Sequence, residues 1–349
     1  MNLKAMFFKR LAATIFVVAS VAVVITSVVS PDAIFQAKSP FTEAPAENSI
    51  SGRVGADAPV LVVKIDDTSM AHPQIGLEDA DLVYIEQVEG GSTRLAAVFS
   101  SKIPTRIGPV RSARISDIEL LAQYGRVGFA YSGAQSKMLP IIAAANLYDL
   151  GAQRNSPTIF TTDANRTQPF AMVLRADLLM EFAKSKGMEF AESKSMGWKF
   201  GKVTAGGVAI TSAQVSWPAS SYDVHWAKAE NRWLLDFRKA PNVTESGQRL
   251  GASTFVIQLV SITDSIYKDK NGGITPLSST IGSGSGYILR NGKSIKATWS
   301  RATAEEGTRW MSMKGEEITF EKGQIWVALT DKEPVFTLAS ADAASVTTK

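Results

Sequence analysis

The chain has 349 residues, 45% of them hydrophobic, which suffices for one large or two ordinary domains with a proper core. It has no cysteine, so disulfides, thiol nucleophiles, thiolate zinc sites and iron–sulfur clusters are excluded. Of the 37 Lys+Arg, Lys4, Lys9 and Arg10 lie in residues 1–30, which hold no acid; the other 34 face 33 Asp+Glu, a net charge of +1 that argues against a nucleic-acid partner.

Leu11 to Ser30 (LAATIFVVASVAVVITSVVS) carries no charge and is long enough to cross a bilayer as a helix. Lys9 and Arg10 before it and Asp32 after it predict a cytoplasmic N-terminus and an extracytoplasmic remainder. A cleaved signal peptide is the alternative, but Val28-Val29-Ser30 followed by Pro31 is a poor cleavage site. The expectation is a single-pass protein of the cytoplasmic membrane with its soluble domains outside. Residues 1–30 form the flank and anchor, and residues 31–57, rich in Pro, Ser, Glu and Ala, a linker.

Residues 58–200 read as an α/β domain. Val60 to Ile65 is a short apolar run suited to a buried strand. Leu82 to Val88 and Arg94 to Phe99 are two further strands, with Gly90-Gly91 favouring a reversal between them. Ser116-Asp117-Ile118-Glu119 has the spacing of a capping box, which predicts a helix starting at Ser116. Val127 to Tyr131 is a strand, and Thr167 to Lys186 is predicted as a helix closed by Gly187.

Residues 201–335 change to short alternating runs and are read as a smaller, mostly antiparallel β domain. Asn291-Gly292 between two such runs predicts a hairpin. Residues 336–349 are expected to be a disordered tail. The fold class is therefore α/β: an N-terminal transmembrane helix, an α/β domain and a smaller antiparallel β domain.

Several motifs lead nowhere. His72 and His225 are the only histidines, too few for a triad or a multi-histidine metal site without further partners. Gly282 to Gly286 resembles a nucleotide loop in glycine count alone and is expected to be an inter-strand loop, because a strand follows it. Ser265-Ile266-Tyr267-Lys268 has Ser-x-x-Lys spacing without companion motifs.

One constellation carries chemistry. Asp66 and Asp67 end a strand, Glu86 and Glu89 precede Gly90-Gly91, and Arg94, Arg106, Arg111 and Arg114 follow. Arg111 and Arg114 precede a predicted helix, whose N-terminus favours anions. Guanidinium groups there would suit a phosphate, pyrophosphate or carboxylate. The candidate ligand-binding set is Arg94, Arg106, Arg111, Arg114 and Glu89. The same residues also suit an internal salt-bridge network that binds nothing.

At these residues the chain resembles the YerB-like lipoproteins, which carry a two-part domain of unknown function. The resemblance rests on His72 to Leu77, Ala80 to Tyr84, Glu89-Gly90-Gly91-Ser92-Thr93-Arg94-Leu95 and Ile107-Gly108-Pro109-Val110-Arg111-Ser112-Ala113-Arg114. It continues more weakly through Gly284 to Tyr287, Trp299 and Gly323 to Trp326, so it covers most of residues 58–330. It implies an envelope location and a bipartite fold, and no established reaction. The lipobox cysteine of many members is missing here, so anchoring is assigned to the helix. The family's Arg-Pro-Gln stands as His72-Pro73-Gln74. A segment that holds histidine in many members reads Ala130 to Gln135, so a histidine mechanism would not carry over.

The layout is also similar to that of the LytR-CpsA-Psr envelope phosphotransferases. That likeness implies that Arg94, Arg111 and Arg114 would clamp phosphates while Asp66 or Asp67 would hold Mg²⁺. Three readings follow: an envelope protein that binds an anionic ligand or a protein partner without catalysis, a phosphotransferase acting on lipid-linked glycan, and a structural interaction module.

Overall fold

The apolar run after Pro59 becomes β1 (Leu61–Asp66), buried along its whole length. Leu61, Val63 and Ile65 enter one hydrophobic cluster while Val62 enters another. A strand covered on both faces needs apolar residues on both, so the run does not alternate. These features come from a computed structural model that describes residues 45–202, 206–269 and 271–339. The predicted membrane helix and the end of the predicted tail lie outside the described residues. Among the described residues no helix is long and apolar enough to cross a membrane.

The N-terminal half supplies β2 (Leu82–Gln87), β3 (Thr93–Phe99), α1 (Ile115–Ala122), β4 (Val127–Ala130), α2 (Leu139–Ala144), β5 (Leu147–Asp149) and α3 (Ala176–Ser185). The C-terminal half supplies β6 (Val208–Trp217), β7 (Ser220–Ala227), β8 (Arg232–Phe237), β9 (Thr254–Leu259), β10 (Ile262–Lys268), β11 (Ile274–Ser278), β12 (Gly282–Arg290), β13 (Lys293–Arg301) and β14 (Ile325–Thr330). One sheet contains strands of both halves, in the order β8-β7-β6-β13-β12-β9-β14-β2-β3-β1-β4-β5. β14 lies between β2 and β9 and is parallel to both. The mixed α/β class is as expected, but the expected boundary near residue 200 does not divide the sheet. Residues 46–57, placed in the linker by composition, pack into this body instead: Ile50 is fully buried and Ser51 Oγ donates to Asp81 at 2.6 Å.

Other expectations divide in the same way. β2 and β3 pair as an antiparallel hairpin from Leu82↔Val98 to Gln87↔Thr93, and Gly90 and Gly91 have φ of +67° and +73°. The Asn291-Gly292 hairpin is present: Arg290 pairs with Lys293, and both turn residues have positive φ (48° and 70°). The helix predicted from Thr167 does not start there. Met172–Arg175 is a strand, paired with Phe160–Thr162 and Arg106–Ile107, and α3 begins at Ala176. Pairing on both sides outweighs a helical apolar spacing at Leu174.

Nor is Gly282 to Gly286 a loop. It is the first part of β12, paired residue by residue with β13. A Cβ at Gly284 would lie 2.6 Å from the Trp299 indole nitrogen, and one at Gly286 would lie 2.3 Å from the Ile257 carbonyl oxygen. The glycines admit close neighbours instead of binding phosphate.

Candidate anion-binding site

β1, β4 and β5 are mutually parallel, so their carboxyl ends share one edge of the sheet. Sites gather at such edges in α/β sheets. Here the edge receives Asp66 from β1, the segment Ser132 to Gln135 after β4, and Gln153 after β5. β3 runs antiparallel to β1 and delivers Arg94, opposite Asp66, to the same edge. The loop carrying Arg111 and Arg114 is stitched in between: Arg111 N donates to Lys64 O at 2.9 Å, and Ser132 N donates to Arg111 O at 2.9 Å. The turn of the β10–β11 hairpin forms the far wall. The resulting cleft is about 590 Å³ and is lined by Glu89, Arg94, Arg111, Arg114, Gln135 and Thr275 among others.

Three of the four predicted arginines therefore converge, with Glu89. Arg114 Nε and Nη2 donate to Glu89 Oε2 at 2.9 and 2.7 Å. Arg111 pairs with Asp66 and lies 5.6 Å from the centre of the Phe170 ring. Arg94 is different. It is 8% exposed, its one hydrogen bond runs from Nη1 to Ser112 O at 3.1 Å, and among the described residues no carboxylate forms an ion pair with it. Burial, then the charges of Arg114 and Arg111, push its pKa down to about 9, so it remains a cation at neutral pH. Burial alone would raise the Glu89 pKa, but hydrogen bonds and charge from Arg114, with a bond from Thr275, hold it below the ordinary carboxylate value. Among the described residues, three guanidinium groups and Lys268 stand against Asp66, Glu89 and Asp269, one positive charge in excess.

Arg106 is not in this cleft. It is half-exposed, donates to Glu245 at 3.0 Å and faces Asp163 at 3.8 Å. The cap of α1 also differs from expectation. The helix begins one residue before Ser116, and Asp117 accepts from Arg114 N at 2.6 Å. Ser116 and Glu119 hold the C-terminal half instead: Ser116 Oγ accepts from Ser278 N at 3.0 Å, and Glu119 Oε1 accepts from Thr280 N at 2.8 Å and Ile281 N at 2.9 Å. Two side chains suited to a cap thus serve an inter-half contact.

The residues do not fit Mg²⁺. Asp66 is engaged by Arg111 and by Thr68, whose Oγ1 donates at 2.6 Å. Asp67 faces away into a polar cluster, where it accepts from Thr93 Oγ1 at 2.6 Å and Tyr222 Oη at 2.7 Å. His72 joins that cluster 3.3 Å from Asp67 and stacks on Phe237. Among the described residues no three His, Asp or Glu side chains gather as a metal would require.

Sequence reasoning missed Gln135, Gln153 and Thr275. The first two follow strand ends, a position that could have marked them. Thr275 could not have been found, because its place depends on a hairpin 186 residues away from Glu89 in sequence.

Family models match both halves of the chain: "Protein of unknown function (DUF3048) N-terminal domain" over residues 46–189 and its C-terminal counterpart over residues 213–327. The chain belongs to the DUF3048 family. The family's two-part description coincides with the two halves that share the sheet. A relative described as "Putative lipoprotein YerB", from Bacillus subtilis (strain 168), is 40% identical over 84 residues, which is 24% of this chain and 24% of that protein. The crystal structure of YerB from Bacillus subtilis has the same fold: TM-score 0.69 at 18% identity, covering 83% of this chain and 99% of that one.

Proposed function

We propose that this DUF3048 protein is a membrane-tethered, extracytoplasmic protein that binds a phosphate-type anion at Arg94, Arg111 and Arg114 without transforming it. The YerB relative is described as a lipoprotein, which supports an envelope location; Leu11 to Ser30 would replace the lipid as anchor. The observation that carries the ligand is Arg94, a buried guanidinium with which, among the described residues, no carboxylate forms an ion pair. Burying an unpaired charge is costly, and an anion in the cleft removes much of that cost. Phosphotransfer is less favoured, since Asp66 and Glu89 are committed to arginines and Asp269 Oδ1 accepts from the backbone of its own turn, Asn271 N and Gly273 N.

The test is thermal and urea stability of the full chain with pyrophosphate. A ligand at about a hundred times its dissociation constant should add about 2.7 kcal/mol. Arg94→Gln should abolish the gain. No gain in the wild type, or an equal gain in the variant, would remove the anion site.

A further inference from the structure

The cleft offers an unmet acceptor as well as an unmet cation. Gln135 Nε2 donates to the Lys268 carbonyl oxygen, which fixes the orientation of the amide. Its Oε1 is buried and has no hydrogen-bond partner among the described residues. An amide oxygen so placed calls for a donor. Inorganic phosphate keeps a P–OH donor at neutral pH, but only on the anion that the arginines draw in, whereas a hydroxyl elsewhere on a larger ligand is a donor separate from the acidic group. The space of about 590 Å³ also exceeds what an inorganic anion fills, and it lies within the range of small-molecule sites.

The lining narrows the class further. Ser112, Ser132, Gln153 and Asn271 add hydroxyl and amide groups, and no aromatic ring is among the lining residues. A nucleobase would find no stacking surface there, and a lipid chain would find little apolar wall beyond Met138 and Ala134. We propose that the ligand is a hydroxylated anion, a sugar phosphate or polyol phosphate, whose acidic group meets Arg94 and whose hydroxyl donates to Gln135 Oε1. This rests on the anion site proposed above and names the chemistry of its occupant.

The experiment is calorimetric titration of the full chain with inorganic phosphate, glucose 1-phosphate and glucose. Glucose 1-phosphate should bind about tenfold tighter than phosphate, the effect of about one further good hydrogen bond. Glucose should not bind measurably. Gln135→Met, which keeps the size of the side chain and removes the acceptor, should lose that preference and retain phosphate affinity. Arg94→Gln should weaken both anions. Equal affinity of the wild type for phosphate and glucose 1-phosphate would overturn the hydroxyl requirement while leaving the anion site standing. Failure of both to bind would overturn the two together. The wild-type comparison decides the matter even if Gln135→Met does not fold.

Discussion

Arg94 lies between Asp66 and Glu86 in the sheet, one on each neighbouring strand, and forms an ion pair with neither. Asp66 is taken by Arg111, and Glu86 accepts from Lys64 Nζ at 2.7 Å. The two acids that flank the arginine are thus committed elsewhere. Its cationic charge is left over by the arrangement of its neighbours.

That arrangement opposes stability to binding at Arg94. Replacing it with methionine, Arg94→Met, should leave unfolding stability unchanged or raise it by about 1 kcal/mol, because a desolvated charge disappears. Anion binding should be lost in the same variant. Urea titration beside calorimetry checks this; a stability loss above about 2 kcal/mol would make the arginine structural.

Stability should also fall between about pH 5 and pH 7.5. Lys64 is fully buried against two carboxylates, Glu86 and Asp117, at 2.7 and 2.6 Å. Burial, reinforced by Asp117 and opposed by Lys64, pushes Glu86 up to about 7. Its folded pKa therefore exceeds the unfolded value of about 4.3. The folded state holds the proton more tightly, so this contribution is complete below the unfolded pKa and disappears as pH rises through 7. Denaturant midpoints across that range should decline in the wild type and stay level in Glu86→Gln.

Asp67 joins the two halves, and its removal should be felt throughout the fold. Asp67→Ala strands the Tyr222 hydroxyl in a dry interior and leaves Thr93 Oγ1 only its contact with Ser220 Oγ at 2.9 Å, an expected loss of about 3 kcal/mol in urea unfolding. Tyr222→Phe removes one bond of that set and should cost about 1.5 kcal/mol. Equal, small losses in both variants would show that the cluster is dispensable.

Gly286 tests the reading of the glycine run. Gly286→Ala places a methyl against the Ile257 carbonyl and the Trp310 ring. A loss of about 1–3 kcal/mol is expected from the forced strand separation. A neutral outcome would return the run to the status of a loop.

Local chemistry was legible in the sequence where it sufficed. Asn291-Gly292 dictated its hairpin because two adjacent positive φ values demand those residue types. Arg111 and Arg114 announced themselves by spacing, and Arg94 by its glycine-flanked strand. Tertiary pairing was not legible. Leu174 has a helical spacing with its neighbours, yet strands on both sides of Met172–Arg175 claim the backbone. Arg106 differs from Arg111 only in which loop of the fold it faces. Whether an arginine is compensated depends on the partners of its partners, and those lie in other strands.

The position of β14 has a consequence for how the protein is made and inherited. The middle of the sheet stays open until residues near the end of the chain arrive, so the edge of β2 waits unpaired through most of synthesis. A fragment ending near residue 200 would present that edge to any passing strand. Neither half is a module that recombination could move alone, which explains why the two family models occur here as consecutive parts of one folded body.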